Sequence, residues 1–305
     1  RSLVDVRLPP RQVLTIRADP SPAEKACYSR LSDLIRRLKT EDTAHHRLAL
    51  HHLLQAAGSS PAAAAVSLHR FIKHDLPPEW AELHGEYAAL RDSAKTAVLL
   101  DILDRNTSEK KLVFVRHTET LRLLADTLAR RHTAFATFEG HMSASHKDEA
   151  VERFREEVNV LLCTESGGEG RNLQFCNTMI NFDLHWNPQI IEQRIGRIHR
   201  IGQEREVFVF NLALRHTIED RLLAILDEKI NMFELVVGEV QSILGEMDEK
   251  HDLVELVFSA WTRETEDHRE AAFSELSDIL LKARRRHDAI QVYDNELFGE
   301  EFEVV

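Results

Sequence analysis

NVLLCTESGGEGRNLQFCNTMINFDLHWNPQIIEQRIGRIHRIGQ, residues 159 to 203, is the stretch from which the rest of the chain is read. Two apolar runs, 158–163 and 178–182, have the length and β-branched content of buried strands, and each gives way to polar or glycine-rich sequence. They are expected as neighbouring strands of a parallel sheet. Between them, residues 164–170 (TESGGEG) offer backbone that can take positive φ and turn its N–H groups outward, as a loop facing phosphate requires. After the second run, Asn187 suits a helix N-cap and Pro188 the first helical position, with Gly202 as the stop. Gln193, Arg197 and Arg200 are then spaced four and three apart, which places them on one face. Gly196, on the adjoining stripe, would let another backbone or a ligand come close. An isolated Arg-x-x-Arg is usually a solvated basic face. Here it follows a strand, a glycine-rich loop, a second strand and a capped helix in order, and that order favours a phosphate-directed site.

The order also matches a family. TESGGEGRNLQ resembles motif V, and QRIGRIHRIGQ resembles motif VI, of the superfamily 2 helicase-like ATPases, specifically the Swi2/Snf2 DNA translocases. With NFDLHWNPQIIEQRIGRIHRIGQ the chain is most similar to the bacterial RapA-like branch, whose name-giving member is an RNA-polymerase-associated ATPase. This resemblance implies an α/β fold, a RecA-like doubly wound parallel sheet flanked by helices. It implies that Arg197 and Arg200, assisted by Gln193, act on the β and γ phosphates of ATP, and that Gly168, Glu169 and Gly170 line the same cleft. Thr164 and Asn172 would touch or support a DNA strand. Trp186 would reach the duplex, or equally would pack under the motif VI helix.

Outward from this stretch, residues 112–115 and 135–138 read as strands and 118–131 and 145–154 as helices, an alternation that predicts a doubly wound region with right-handed crossovers. KLVFVRHTETLRLLADTL and FEGHMSASHKDEAVERF resemble the motif IV region, which would place Gly140, Met142 and Ser143 on a DNA-facing edge. A plain strand-to-helix turn is the other reading of those three. Beyond motif VI, residues 207–211 continue the sheet and 217–237 read as a long helix. TIEDRLLAILDEK resembles the helix that follows motif VI in Snf2 proteins.

Upstream, the prolines at 9, 10, 20 and 22 flank a short apolar run at 13–16 and mark a connector. LPPRQVLTI and SPAEKACYSRL resemble the Snf2 segment that passes from the first RecA-like lobe to the second. Residues 42–103 read as helical, with breaks at 58–61 and 77–78. The division expected is a connector over 1–20, a helical insertion over 21–105, the lobe over 106–237 and an acidic, mainly helical extension over 238–305. His45, His46, His51 and His52 share a helix, but no cysteine or carboxylate completes a metal site, so exposed histidines are expected.

Composition narrows the class. Among 305 residues no run of about 18 apolar residues occurs, so no transmembrane helix is expected. Cys27, Cys163 and Cys176 lack metal-ligand spacing and are too few for a disulfide framework, which fits a cytoplasmic protein, nucleoid-associated if bacterial. A chain that begins at Arg1 is read as a fragment or a processed form. The net charge of −12 is concentrated: residues 238–305 hold 18 Asp and Glu against 7 Lys and Arg, a local −11, which leaves residues 1–237 at −1.

Nucleotide chemistry needs more than arginines. No Gly-x-x-x-x-Gly-Lys loop occurs, and Asp248-Glu249-Lys250-His251 follows polar helical sequence instead of a buried strand, so it is a poor magnesium site. ATP and Mg²⁺ would be held mainly by a first RecA-like lobe, the lobe alone would be inactive, and double-stranded DNA would be the substrate track. A strand-separating helicase lobe is one alternative. A protein-binding module that docks RNA polymerase or another DNA-bound protein through the acidic extension is another.

Overall fold

The computed structural model describes residues 9–38, 44–72, 76–91, 93–164, 173–230, 239–247 and 253–298. The chain divides into two compact units: residues 1–185 with 193–220, and residues 186–192 with 221–305.

The first unit is built on six parallel strands: β1 (Arg11–Ala18), β2 (Lys111–Val115), β3 (Ala136–Phe138), β4 (Val160–Thr164), β5 (Thr178–Asn181) and β6 (Val207–Leu214), in the order β1-β6-β5-β2-β4-β3. β2, β4 and β5 are buried throughout, as strands covered on both faces must be, and apolar residues fill Leu112 to Val115, Val160 to Cys163 and Met179 to Ile180. The helices of this unit include α5 (Ala94–Asp104), α6 (Thr118–Arg130) and α7 (Ala144–Glu156), while α8 (Pro188–Ile195) begins in the residues of the second unit and ends in those of the first. In α6 the buried Leu121, Leu124 and Leu128 recur at helical spacing and join Leu99, Ile102 and Leu103 of α5 and Val113, Leu162, Ile180 and Leu212 of the sheet in one core.

Two differences from the sequence reading concern the sheet. β4 and β5 were expected side by side, but β2 lies between them and pairs with both. β4 and β5 therefore lie on opposite sides of β2, and the strand order changes direction there. Residues 13–16, expected in a connector, belong to β1, an eight-residue strand paired in register with β6 from Arg11 to Ala18. It is an edge strand with mixed burial, which is where a proline-flanked run can pair, since only one side of it needs a ladder.

Upstream helices are α1 (Pro22–Arg37), α2 (Ala44–Ser59), α3 (Pro61–Phe71) and α4 (Pro78–Ala89). α1 opens with a capping box, Ser21 Oγ accepting from Glu24 N and Glu24 Oε2 from Ser21 N. Ser60, the single residue between α2 and α3, caps α3 by accepting from Ala63 N at 3.1 Å. His51 of α2 is buried, against the expectation of exposed histidines, while the His52 ring meets Ser67 Oγ at 3.2 Å. Among the described residues no group of three His, Cys, Asp or Glu could hold a metal ion, and no helix is long and apolar enough to cross a membrane.

In the second unit, α9 (Ile218–Ile230) continues from its first turn into α10 (Glu239–Gly245), α11 (Leu253–Trp261) and α12 (Glu266–Phe298). Ile243, Val257, Phe258, Phe273 and Leu280 are buried, and Arg221 pairs with Glu270 while its guanidinium covers the Phe273 ring at 5.2 Å. The acidic extension is thus a helical unit with apolar side chains of its own inside.

Candidate functional site

Because all six strands are parallel, their carboxyl ends lie along one edge, and in open α/β sheets that edge beside the winding reversal is where ligands sit. The loops leaving β2, β3, β4 and β5 carry Arg116 and His117, Gly140, Thr164 and Asp183 to this edge. Thr164, the last residue of β4, is buried, and its Oγ1 accepts from Gly140 N at 3.1 Å, which ties two of the residues expected near DNA to each other. Met142 closes the turn, its N bonding Glu139 O at 3.1 Å and its Sδ accepting from Glu139 N. Ser143 caps α7 through His146 N at 3.3 Å and remains exposed. Lys147, one turn on, donates to Gly140 O at 2.9 Å.

The segment after β5 is ordered from within. Asn187 starts α8 as the sequence suggests, its Oδ1 accepting from Gln189 N at 3.0 Å. The helix was expected to run to Gly202. It stops at Ile195, immediately before Gly196, and the chain continues in tight turns in which Arg197 N bonds Arg194 O and Ile198 N bonds Ile195 O. Glycine is a poor helix residue, and four of the next side chains face in and out unevenly. Arg194, Ile195, Ile198 and His199 are buried, while Gln193 and Arg200 are exposed and Arg197 is half-buried. The three residues singled out from the sequence therefore lie on the outward side of one segment. Among the described residues neither Arg197 nor Arg200 is paired with a carboxylate. Gly202 has φ +98°, and Gln203 locks the end of the segment by donating through Nε2 to Gln174 O, Cys176 O and Ile198 O.

Arg194, which the spacing of the motif does not single out, is the arginine that the fold buries. It is 4% exposed; its Nη1 donates to Asn181 Oδ1 at 3.0 Å and to Asp183 O at 2.9 Å, and its guanidinium lies 5.0 Å from the centre of the Phe114 ring. Asn181 is in turn held by Asn211 Oδ1 at 2.8 Å. Asp183 was also missed. A signal existed for it, a carboxylate set inside the apolar run INFDLHW directly after a strand. Burial pushes this carboxyl upward, but Lys95, His117 and the Arg116 N–H bonded to it at 2.7 Å outweigh burial and hold it below the ordinary carboxylate value.

Trp186, expected either to reach the duplex or to pack, is 1% exposed and so is a packed side chain in this structure. Gly168, Glu169, Gly170 and Asn172 lie outside the described residues, as does the Asp248–His251 stretch.

The helicase conserved C-terminal domain matches residues 94–202, which spans α5 to Gly202 and so contains β2 to β5 and the arginine segment. The chain is 36% identical over 244 residues to an uncharacterized ATP-dependent helicase, YqhH, of Bacillus subtilis, a match covering 77% of this chain and 42% of that protein. It is 37% identical over 183 residues to the RNA polymerase-associated protein RapA of Photobacterium profundum, covering 58% of this chain and 19% of that protein. The chain thus spans less than half the length of these relatives. A SWI2/SNF2 ATPase core of Sulfolobus solfataricus, solved in complex with double-stranded DNA, shares the fold with a TM-score of 0.52 at 20% identity, over 77% of this chain and 48% of that one. With a parallel RecA-like sheet and the domain match, the chain carries a helicase C-terminal, second RecA-like lobe, similar in sequence to the RapA-like branch of the Swi2/Snf2 ATPases.

Proposed function

We propose that this chain is the second lobe of an ATP-dependent translocase on double-stranded DNA that displaces or remodels DNA-bound proteins, RNA polymerase or another. The observation that carries the reading is the outward pair Arg197 and Arg200, which meets no carboxylate among the described residues and is followed back along the chain to the buried Arg194 at the carboxyl edge of the sheet. The residues present fit a triphosphate: guanidinium groups match phosphate oxygens in a fixed fork, and Gln193 adds a neutral donor and acceptor on the same side. Bound ATP supplies the phosphoryl group whose transfer the enzyme accelerates, and Mg²⁺ would be held mainly by the first RecA-like lobe. This chain's part is to present Arg197 and Arg200 to the charge that develops, a contribution of about 10³ to 10⁵ in rate. Gly168, Glu169 and Gly170 would line the same cleft. Thr164, Gly140, Met142, Ser143 and Asn172 would face the DNA backbone, positioning without reading sequence. Trp186, being buried, is not assigned a contact with the duplex.

The test uses the full-length protein that carries this chain. Arg197→Ala and Arg200→Ala are expected to abolish DNA-stimulated hydrolysis while DNA affinity stays within about twofold, and lysine is not expected to rescue either, since a point charge cannot reproduce the fork. The chain alone should release phosphate at no more than background rate. Loss of DNA binding with hydrolysis retained would make the segment a phosphate-backbone contact and remove the catalytic assignment. Unwinding of a blunt duplex would favour strand separation over translocation.

A further inference from the structure

Beneath the carboxyl edge lies a charge cluster to which the motif reading gives no role. Lys95, the second residue of α5, is 1% exposed, and its Nζ donates to Glu219 Oε2 at 3.1 Å, to Asp183 Oδ1 at 3.3 Å and to the carbonyl oxygen of Gly58 at 3.1 Å. Both carboxylates are buried as well. Asp183 Oδ2 accepts from Arg116 N at 2.7 Å, and Glu219 Oε1 accepts from Leu184 N at 2.7 Å. A second set of buried contacts lies at the same corner: Thr120 Oγ1, at the start of α6, is 2.7 Å from Ser59 Oγ and 2.7 Å from Ser60 Oγ. The end of α2, the start of α5, the loops after β2 and β5 and the first turn of α9 are thereby joined through side chains.

Two carboxylates against one ammonium is an expensive way to fill space, because a buried ion pair is often no more stabilising than apolar residues of the same volume. The arrangement has a geometric consequence instead. The peptide joining Asp183 to Leu184 is held from both sides, the aspartate carboxylate by Lys95 and the Leu184 N–H by Glu219. The carbonyl oxygen of that same peptide unit accepts from Arg194 Nη1 at 2.9 Å. Lys95 and Glu219 thus fix the acceptor on which the arginine segment is seated, while the Gly58 contact ties the same point to the helical insertion.

We infer that Lys95 and Glu219 are positioning residues for ATP hydrolysis, which hold the Asp183–Leu184 peptide so that Arg194 seats and Arg197 and Arg200 are presented, and which link that geometry to the α2–α3 corner. This rests on the function proposed above. Neither residue meets the nucleotide, so the expected lesion is in turnover and not in ground-state binding.

The experiment compares Lys95→Met, Lys95→Met/Glu219→Gln and Arg197→Ala in the full-length protein, by DNA-stimulated hydrolysis, KM for ATP, DNA affinity and thermal melting. Lys95→Met should lower kcat at least ~10-fold, since small misplacement of catalytic groups is costly, with KM and DNA affinity within about twofold. It should also lower the melting temperature, because two buried carboxylates lose their ammonium. The double variant should recover most of the melting temperature and none of the rate. Recovery of both would make the cluster a matter of charge balance alone and overturn the inference, as would no recovery of melting, or a parallel loss of ATP and DNA binding. Arg197→Ala keeps the two readings apart. If it hydrolyses normally, the arginine assignment fails; if it is inactive while either Lys95 variant turns over normally, only the positioning inference fails.

Discussion

Arg194 and Glu219 set the energetics at the scale of single residues. Removing the Arg194 side chain leaves Asn181 Oδ1 and Asp183 O without this donor inside the fold, so Arg194→Ala should destabilise the fold by ~2–4 kcal/mol, read as a lower urea midpoint at unchanged slope. Glu219 carries a pH signature. Burial pushes its carboxyl up to about 7, Lys95 opposing and Asp183 adding to the rise. The folded chain therefore binds a proton that the unfolded chain has released above an ordinary glutamate value, and the stability this proton brings is full below about 4.5 and lost as pH climbs through about 7. His117 works the other way. Burial lowers its pKa to about 4, so its contribution is lost as pH falls from its ordinary value of 6.5 toward 4. Glu219→Gln should remove the first slope and leave the second, so that the melting temperature of the variant gains on the native chain from about pH 4.5 to about pH 7 and runs parallel above. A difference independent of pH would refute the buried-proton account. Gln193, Arg197 and Arg200 could be picked from the sequence because a motif places them together. Lys95 could not, since its carboxylate partners lie 88 and 124 positions away and a lysine near a helix start reads as solvated surface.

At the level of elements, the corner between α2 and α3 is closed in part by three hydroxyl groups. Thr120 is fully buried between Ser59 and Ser60, and Thr120→Val keeps its shape while leaving two serine hydroxyls short of a partner, for an expected loss of ~1–3 kcal/mol. If the helical insertion only decorates the lobe, hydrogen exchange should quicken in α2 and α3 of that variant and not in the loop after β5; the link through Gly58 and Lys95 predicts that both quicken. Most elements were legible from their apolar residues: β2 and β4 fall on continuous apolar runs, and α6 falls where helical spacing puts it. Three features were not. β1 was hidden by its prolines, which signal a break but are tolerated at the entry to an edge strand. The place of β2 between β4 and β5 depends on a crossover that neither strand records in its own residues. The early end of α8 is decided by Arg194 and Ile198 turning inward, a tertiary pull that overrides the spacing argument.

For the molecule as a whole, charge separates what fold class does not. Residues 238–305 carry −11 of the total −12, and they include buried apolar side chains from α10, α11 and α12 that mark a folded unit instead of a solvated tail. A folded acidic body tethered to a nearly neutral lobe either repels DNA locally, within the ~8–10 Å over which charges act at physiological salt, or stands too far off to matter. Deleting 238–305 from the full-length protein distinguishes the two. Shielding predicts that DNA affinity rises and that its salt dependence steepens, by about 0.9 in the log–log slope for each phosphate contact the deletion exposes on B-DNA. Unchanged affinity at an unchanged slope would mean that the acidic unit serves a partner and not the DNA surface. In that case the deletion should abolish capture of the partner while Arg197→Ala leaves capture intact, because the guanidinium groups of the lobe would play no part in holding it.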